Sequence, residues 1–128
     1  MNSQNLSEFA KRYAQAWCSQ NPESVAAFFA ENASLTVNGG PSNPPLEVAR
    51  GFMRDFPDMV VAFDKLEARG ERTAFHWTLT GTYAETGKRV RISGYELWKI
   101  NNAGLIAEST GHFDAADYES QVKGAPEL

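Results

Sequence analysis

From Met59 to Asp114 the sequence runs through four segments in which apolar and polar residues alternate, separated by short turn-forming stretches. The segments are about Met59 to Ala68, Arg72 to Tyr83, Arg89 to Ile100 and Leu105 to Asp114. Between them lie Arg69-Gly70-Glu71, Glu85-Thr86-Gly87-Lys88 and Asn101-Asn102-Ala103-Gly104, each a plausible hairpin turn. A period of two gives each segment one face for a core and one for solvent or a partner. Short connections of this kind join neighbouring strands antiparallel.

The first half of the chain follows the other periodicity. Leu6, Phe9, Ala10, Tyr13, Ala14 and Trp17 fall at helical spacing, which predicts an amphipathic helix over 5–19. Asn21-Pro22-Glu23 reads as a helix start: a capping side chain, proline in the first turn, then an acid at the positive helix end. Val25, Phe28 and Phe29 supply its apolar face, and the spacing carries it to Glu31-Asn32. Ala33 to Val37 reads as a short strand, and 38–45, rich in Gly and Pro, as a loop. A third helix runs from about Leu46 to Asp55, with Val48, Ala49, Phe52 and Met53 inward and Pro57 stopping it. Helices first and hairpin-linked strands afterwards predict an α+β fold, with the helices packed on one face of an antiparallel sheet. The residues from Glu119 to Leu128 are polar and read as a loose tail.

At 128 residues the chain fits one domain, 1–128, large enough to fold without a disulfide or a metal. Cys18 is the only cysteine, so no internal disulfide can form. The formal net charge of -4, without a Lys/Arg cluster, argues against nucleic acid as a partner. No apolar run approaches the roughly 20 residues of a spanning helix, which argues against membrane residence. The opening MNSQNLSEF lacks the basic and apolar regions of a secretory signal, and the expected location is cytoplasmic. Two histidines without ligand spacing predict no metal site, and neither a phosphate loop nor a G-x-S-x-G nucleophile is present.

The alternation also isolates candidate functional residues. On Arg89 to Ile100 one face carries Val90, Ile92, Gly94, Glu96, Trp98 and Ile100, so Glu96 interrupts an apolar series. A buried carboxyl group has a raised pKa and suits proton or hydrogen-bond donation near neutral pH. The pattern by itself favours a carboxylate paired with Arg or a backbone group, or turned outward by a bulge. His76 shares a face with Ala74, Thr78 and Thr80, opposite Phe75, Trp77 and Leu79, and reads as a surface or interface histidine. His112 and Asp114 stand two apart, the spacing of an oriented acid-base pair on one strand face and equally of a solvated strand end.

Several ordered stretches resemble the SnoaL-like members of the nuclear transport factor two-like superfamily, which includes polyketide cyclases, ketosteroid isomerase and scytalone dehydratase. The resemblance spans about residues 5 to 116. It rests on Arg12-Tyr13 with Trp17, the run from Phe28 to Ala33, Phe56-Pro57-Asp58, Trp77 with Thr80-Gly81-Thr82, Ser93-Gly94-Tyr95-Glu96 and the stretch Gly104 to Glu108. It implies a cone-shaped, curved antiparallel sheet wrapped around the N-terminal helices, an internal pocket, and frequent homodimers.

Residue by residue, the resemblance places Tyr13 at the isomerase's oxyanion-hole tyrosine and Glu96 at its hydrogen-bonding acid. The isomerase's general-base aspartate would stand at Val37-Asn38, where this chain has no carboxylate. Asp114 matches the acid-base aspartate of the cyclases, while Ser109 and Thr110 replace their histidine and tryptophan. The catalytic candidates are therefore Tyr13, Glu96 and Asp114. Trp17, Phe28, Phe75, Trp77, Trp98, Ser109 and Phe113 are the candidates for ligand contact. Three readings follow. The first is a cofactor-independent lyase, isomerase or cyclase moving a proton on a small hydrophobic carbonyl compound. The second is a non-catalytic dimeric domain binding a small hydrophobic molecule. The third is a structural dimer whose pocket is filled by its own aromatics.

Overall fold

The computed structural model describes residues 3–123. Three helices come first: α1 (Ser3–Cys18), α2 (Pro22–Ala26) and α3 (Pro45–Asp55), with strand β1 (Phe29–Val37) between the last two. Strands β2 (Val60–Arg69), β3 (Arg72–Thr82), β4 (Arg89–Ile100) and β5 (Ile106–Phe113) follow, then helix α4 (Ala115–Lys123). The strands form one curved, unclosed sheet in the order β1-β5-β4-β3-β2. The three hairpin-linked pairings are antiparallel, and β1 joins the edge parallel to β5. The fold is α+β, as expected.

The apolar face of α1 buries Phe9, Ala10, Tyr13, Ala14 and Trp17 against the concave side of the sheet. Tyr13 and Trp98 have no exposed surface, and their rings meet edge to face at 5.2 Å. Phe75 stacks between Trp98 and Phe63, with ring centroids 4.9 and 5.7 Å away. This aromatic column joins β2, β3 and β4 beneath α1. Register shifts at Phe63/Lys65 in β2 and at Lys99/Ile100 in β4 interrupt the ladders, and such bulges bend a strand.

Two segments differ from the sequence expectation. The second helix stops at Ala26, not near Asn32, because Phe28 and Phe29 are claimed by the sheet. The Ile106 amide donates to the Phe28 carbonyl at 3.0 Å, and Phe29 pairs with Ile106 of β5. Its start is as read: the Asn21 side chain accepts from the Glu23 amide at 3.1 Å.

The second difference is α4, whose residues Glu119 to Lys123 were expected to be loose. The Asp114 carboxylate accepts from the Asp117 amide at 3.0 Å, capping the helix. Val122 is buried in the core. Gln121 accepts from the Arg91 amide and donates to the Arg91 carbonyl, at 2.6 and 2.9 Å. β5 pairs with β4 only from Gly94 onward, so Gln121 satisfies backbone groups that β5 has left unpaired. Residues 124–128 of the expected tail lie outside the described part.

Candidate functional site

Glu96 stands at the middle of β4, between Phe75 of β3 and Gly111 of β5. Its side chain points to the concave face and keeps only 7% exposure. Three neutral donors converge on one carboxyl oxygen, Oε1. The Tyr13 hydroxyl donates from α1 at 2.9 Å, the Ser109 hydroxyl from β5 at 2.8 Å, and the Trp98 indole N–H from β4 itself at 3.2 Å. Oε2 receives one longer contact of 3.2 Å, from the same Tyr13 hydroxyl. None of the ion pairs among the described residues includes Glu96.

Burial pushes the Glu96 carboxyl above its ordinary value, against the opposing pull of hydrogen bonds from Ser109, Tyr13 and Trp98. Crowding the donors onto Oε1 leaves Oε2 as the oxygen able to carry a proton. Burial and the adjacent Glu96 also raise the Tyr13 hydroxyl well above the usual tyrosine value, so it stays a donor. The outward or cation-paired carboxylate that the sequence pattern admitted is thus replaced by an inward acid held by three uncharged groups.

Glu96 borders a cavity of about 60 Å³ between the helices and the concave sheet. Trp17 of α1 and Val48 and Phe52 of α3 form its helical wall. β1 contributes Leu35 and Val37, and β2 Val61. Phe75, Trp77 and Leu79 of β3 form the sheet wall, with Gly111 and Phe113 of β5 beside Glu96. Of the expected contact residues, Trp17, Phe75, Trp77 and Phe113 reach this lining. Phe28, Trp98, Ser109 and Tyr13 stand behind it. Phe28 packs its ring on Phe9 and Tyr13, and the other three fix the Glu96 carboxyl.

The sequence reading assigned no ligand role to Leu35, Val37, Val48, Phe52, Val61, Leu79 or Gly111. Val48 and Phe52 were legible as an inward helix face, but nothing local distinguishes a residue lining a cavity from one filling a core.

Asp114 is exposed, one residue past the end of β5, and its carboxylate caps α4. It neither lines the cavity nor pairs with His112. The His112 ring meets Thr110 Oγ1 at 3.2 Å and stacks on Tyr95 at 4.9 Å, on the convex face. His76 lies on that face too, 3.2 Å from Glu67. At the end of β1, Asn38 adopts a left-handed backbone (φ 51°) and accepts from the Phe113 amide at 2.9 Å. The position aligned with the isomerase base therefore fastens β5.

Gly94 governs the shape of the sheet wall. It faces Trp77 on β3 and Phe113 on β5. A Cβ there would stand 2.7 Å from the Trp77 ring and collide with the His112 carbonyl oxygen. The missing side chain lets the Trp77 indole lie across β4 at the cavity's edge.

Solved structures of this fold are numerous, though distant in sequence. TsrD from Streptomyces laurentii superposes with a TM-score of 0.81 at 14% identity, over 98% of this chain and 99% of its own. A protein of ketosteroid isomerase-like fold from Catenulispora acidiphila, solved with trimethylamine, gives 0.77 at 15% identity over 91% and 92%. SalBIII, an epoxide hydrolase/cyclase-like enzyme with a role in pyran ring formation in the polyether salinomycin, gives 0.78 at 16% identity over 91% and 95%. No curated protein matches the sequence. The SnoaL-like domain family matches residues 10–109, from the first core alanine of α1 to the serine that holds Glu96, and the chain belongs to that family.

Proposed function

We propose that the protein binds a small hydrophobic carbonyl compound in the concave cavity, and that Glu96, as the neutral acid, donates to its oxygen. The observation that carries this reading is the set of three donors on one oxygen of a buried carboxyl group. A carboxylic acid so held is pre-oriented toward charge that develops on a substrate oxygen. The reaction class is a cofactor-independent cyclase, isomerase or lyase step. SalBIII, a cyclase-like enzyme of the same fold, is in keeping with it. Tyr13 acts through Glu96, because its hydroxyl is spent on the carboxyl group. Asp114 has no part in this mechanism, since it lies outside the cavity.

A second reading, non-catalytic binding, draws support from a different observation: Glu96 is the one titratable side chain in the lining. A proton transfer that also needs a base would have to take it from the ligand or from water. In both readings the protein is a homodimer that pairs through the convex sheet face around His76, Tyr95 and Leu97.

The test is a thermal-shift screen of small ketones, lactones and quinones against wild type and Glu96→Gln, followed by incubation of each hit. Catalysis predicts that a hit is converted, and that Glu96→Gln slows conversion by roughly 10²-fold. Binding alone predicts that hits return unchanged and that the variant only weakens them. Hits that stabilise both proteins equally contradict the role given to Glu96. Light scattering at high micromolar concentration checks the dimer, and a monomer there contradicts it.

A further inference from the structure

Among the described residues, three glycines lie inside strands: Gly81 in β3, Gly94 in β4 and Gly111 in β5. A glycine within a strand gives up backbone entropy and side-chain packing, so its place there needs a cause. Packing supplies one for the first two. A Cβ at Gly81 would stand 3.3 Å from both the Asp58 carboxylate and the Phe56 ring, and at Gly94 it would stand 2.7 Å from the Trp77 ring. Neither packing nor backbone demands glycine at position 111. Its φ is not positive. Apart from its chain neighbours, a Cβ there would meet only the Thr36 carbonyl oxygen at 3.6 Å and Glu96 Cγ at 3.9 Å, both ordinary contacts. The fold has room for a side chain that the sequence withholds.

That room belongs to the cavity. Gly111 is buried, pairs with Val37 of β1 and Glu96 of β4, and lines the cavity together with both. Bare backbone inside a strand is a place where a ligand can approach closely. We propose that Gly111 is a specificity-determining contact, and that the site takes a compact ketone branched at the carbon next to its carbonyl. The free space lies beside the stem of Glu96. With the ketone oxygen held at the carboxyl group, the neighbouring carbon falls over Gly111. Leu35, Val37, Phe75 and Phe113 share that lining, so the branch is a hydrocarbon one; a polar branch would be buried without a partner. The cavity's volume of about 60 Å³ keeps the ketone compact.

The inference rests on the proposed pocket function, in which Glu96 holds the ketone oxygen, but it is separable from it. The isomers 2,2-dimethylcyclopentanone and 3,3-dimethylcyclopentanone carry the same atoms, with the branch next to the carbonyl in the first and one carbon further in the second. Cyclopentanone is the unbranched reference. Affinities come from NMR titration of the pocket resonances in wild type, Gly111→Ala and Glu96→Gln. Wild type should bind the 2,2-isomer more tightly than the 3,3-isomer by roughly 4-fold, the worth of one buried methylene group. The methyl group of Gly111→Ala fills the same space, so this variant should lose or reverse that preference and bind cyclopentanone as wild type does. It should melt no lower than wild type, because its methyl group makes only ordinary contacts.

Equal binding of the two isomers by wild type, or an isomer preference that Gly111→Ala leaves unchanged, overturns the inference. So does a lowered melting temperature of Gly111→Ala, which would show that packing demands the glycine. If Glu96→Gln weakens all three ketones while Gly111→Ala alters no preference, the Gly111 contact falls and the Glu96 reading stands. If Gly111→Ala abolishes the preference while Glu96→Gln weakens nothing, the contact stands and the hydrogen bond from Glu96 falls. If no ketone perturbs any pocket resonance, both fall.

Discussion

Along β4, successive residues enter two different chemistries. Ile92, Glu96 and Trp98 point to the concave side, where Glu96 is the lone carboxyl group among rings and aliphatic chains. Ser93, Tyr95 and Leu97 point to the convex side, where polar groups are abundant and pair with each other. There His76, Tyr95 and His112 form a row across three strands. Arg69 lies over the Tyr95 ring at 4.8 Å, and Thr78 bonds both Asp64 and Ser93. The contrast is in solvation rather than in residue type. Glu67 on the convex face has its pKa lowered by bonds from Arg69 and His76, while burial raises that of Glu96 on the concave face. Burial away from water and from cations shifts a carboxyl group toward its neutral form, and hydrogen bonds from cations shift it the other way.

The largest effect should come from removing the concave acid. Glu96→Leu leaves the Tyr13 hydroxyl, the Trp98 N–H and the Ser109 hydroxyl without their acceptor, at a net cost of about 3 kcal/mol in chemical denaturation. Glu96→Gln keeps an acceptor oxygen and should stay within about 1 kcal/mol of wild type near pH 4.5. The pH dependence has a definite sign. Because the folded pKa of Glu96 is raised, its favourable contribution is fully present below the unfolded value of 4.5 and is lost as pH rises through the folded pKa. Glu96→Gln should therefore gain on wild type across that window, by up to about 1.4 kcal/mol per pH unit, and level off above it. A stability difference independent of pH would break the comparison.

Next is Gly94→Ala, which sits where the two faces share one backbone. Its methyl group would press on the Trp77 ring and the His112 carbonyl oxygen. A loss of about 2 kcal/mol or more is expected, with a changed tryptophan emission spectrum. Ser109→Ala removes one donor and should cost about 1 kcal/mol. It should also move the Glu96 pKa further up, since that hydrogen bond opposes the rise. The smallest effect belongs to the convex face: His112→Ala gives up a partly exposed stack on Tyr95 and should cost about 0.5 kcal/mol. A larger loss that depends on protein concentration would show that this face is buried between protomers.

The same two faces explain what could be read from the sequence. Period-two alternation is a local signal, so the strands from Val60 to Phe113 were legible, and so was the break that Glu96 makes in an apolar face, though not whether its side chain turns inward. The identity of its partners was less so. The resemblance brought Tyr13 near, but the Ser109 bond requires the register that pairs Trp98 with Ser109. The expected helix through Phe28 and Phe29 failed for the same reason, because their partner is Ile106, far along the chain. Asp114 illustrates the opposite case. A strand continued by one residue would make it a partner for His112. Asp114 followed three residues later by Asp117 was a legible helix start, and the backbone turns there into α4. The cavity was the least legible feature, since Trp17 and Trp77 look like core residues in the sequence and only the folded chain sets them at its wall.

The account depends most on Glu96 being a neutral acid at the cavity. Carbon-13 NMR of the glutamate side-chain carboxyl signals, compared between wild type and Glu96→Gln, measures this directly. The predicted result is one carboxyl resonance, absent from the variant, whose midpoint lies clearly above 4.5 and whose titration moves the Trp98 indole signal with it. A Glu96 resonance that titrates at or below 4.5 would contradict the account.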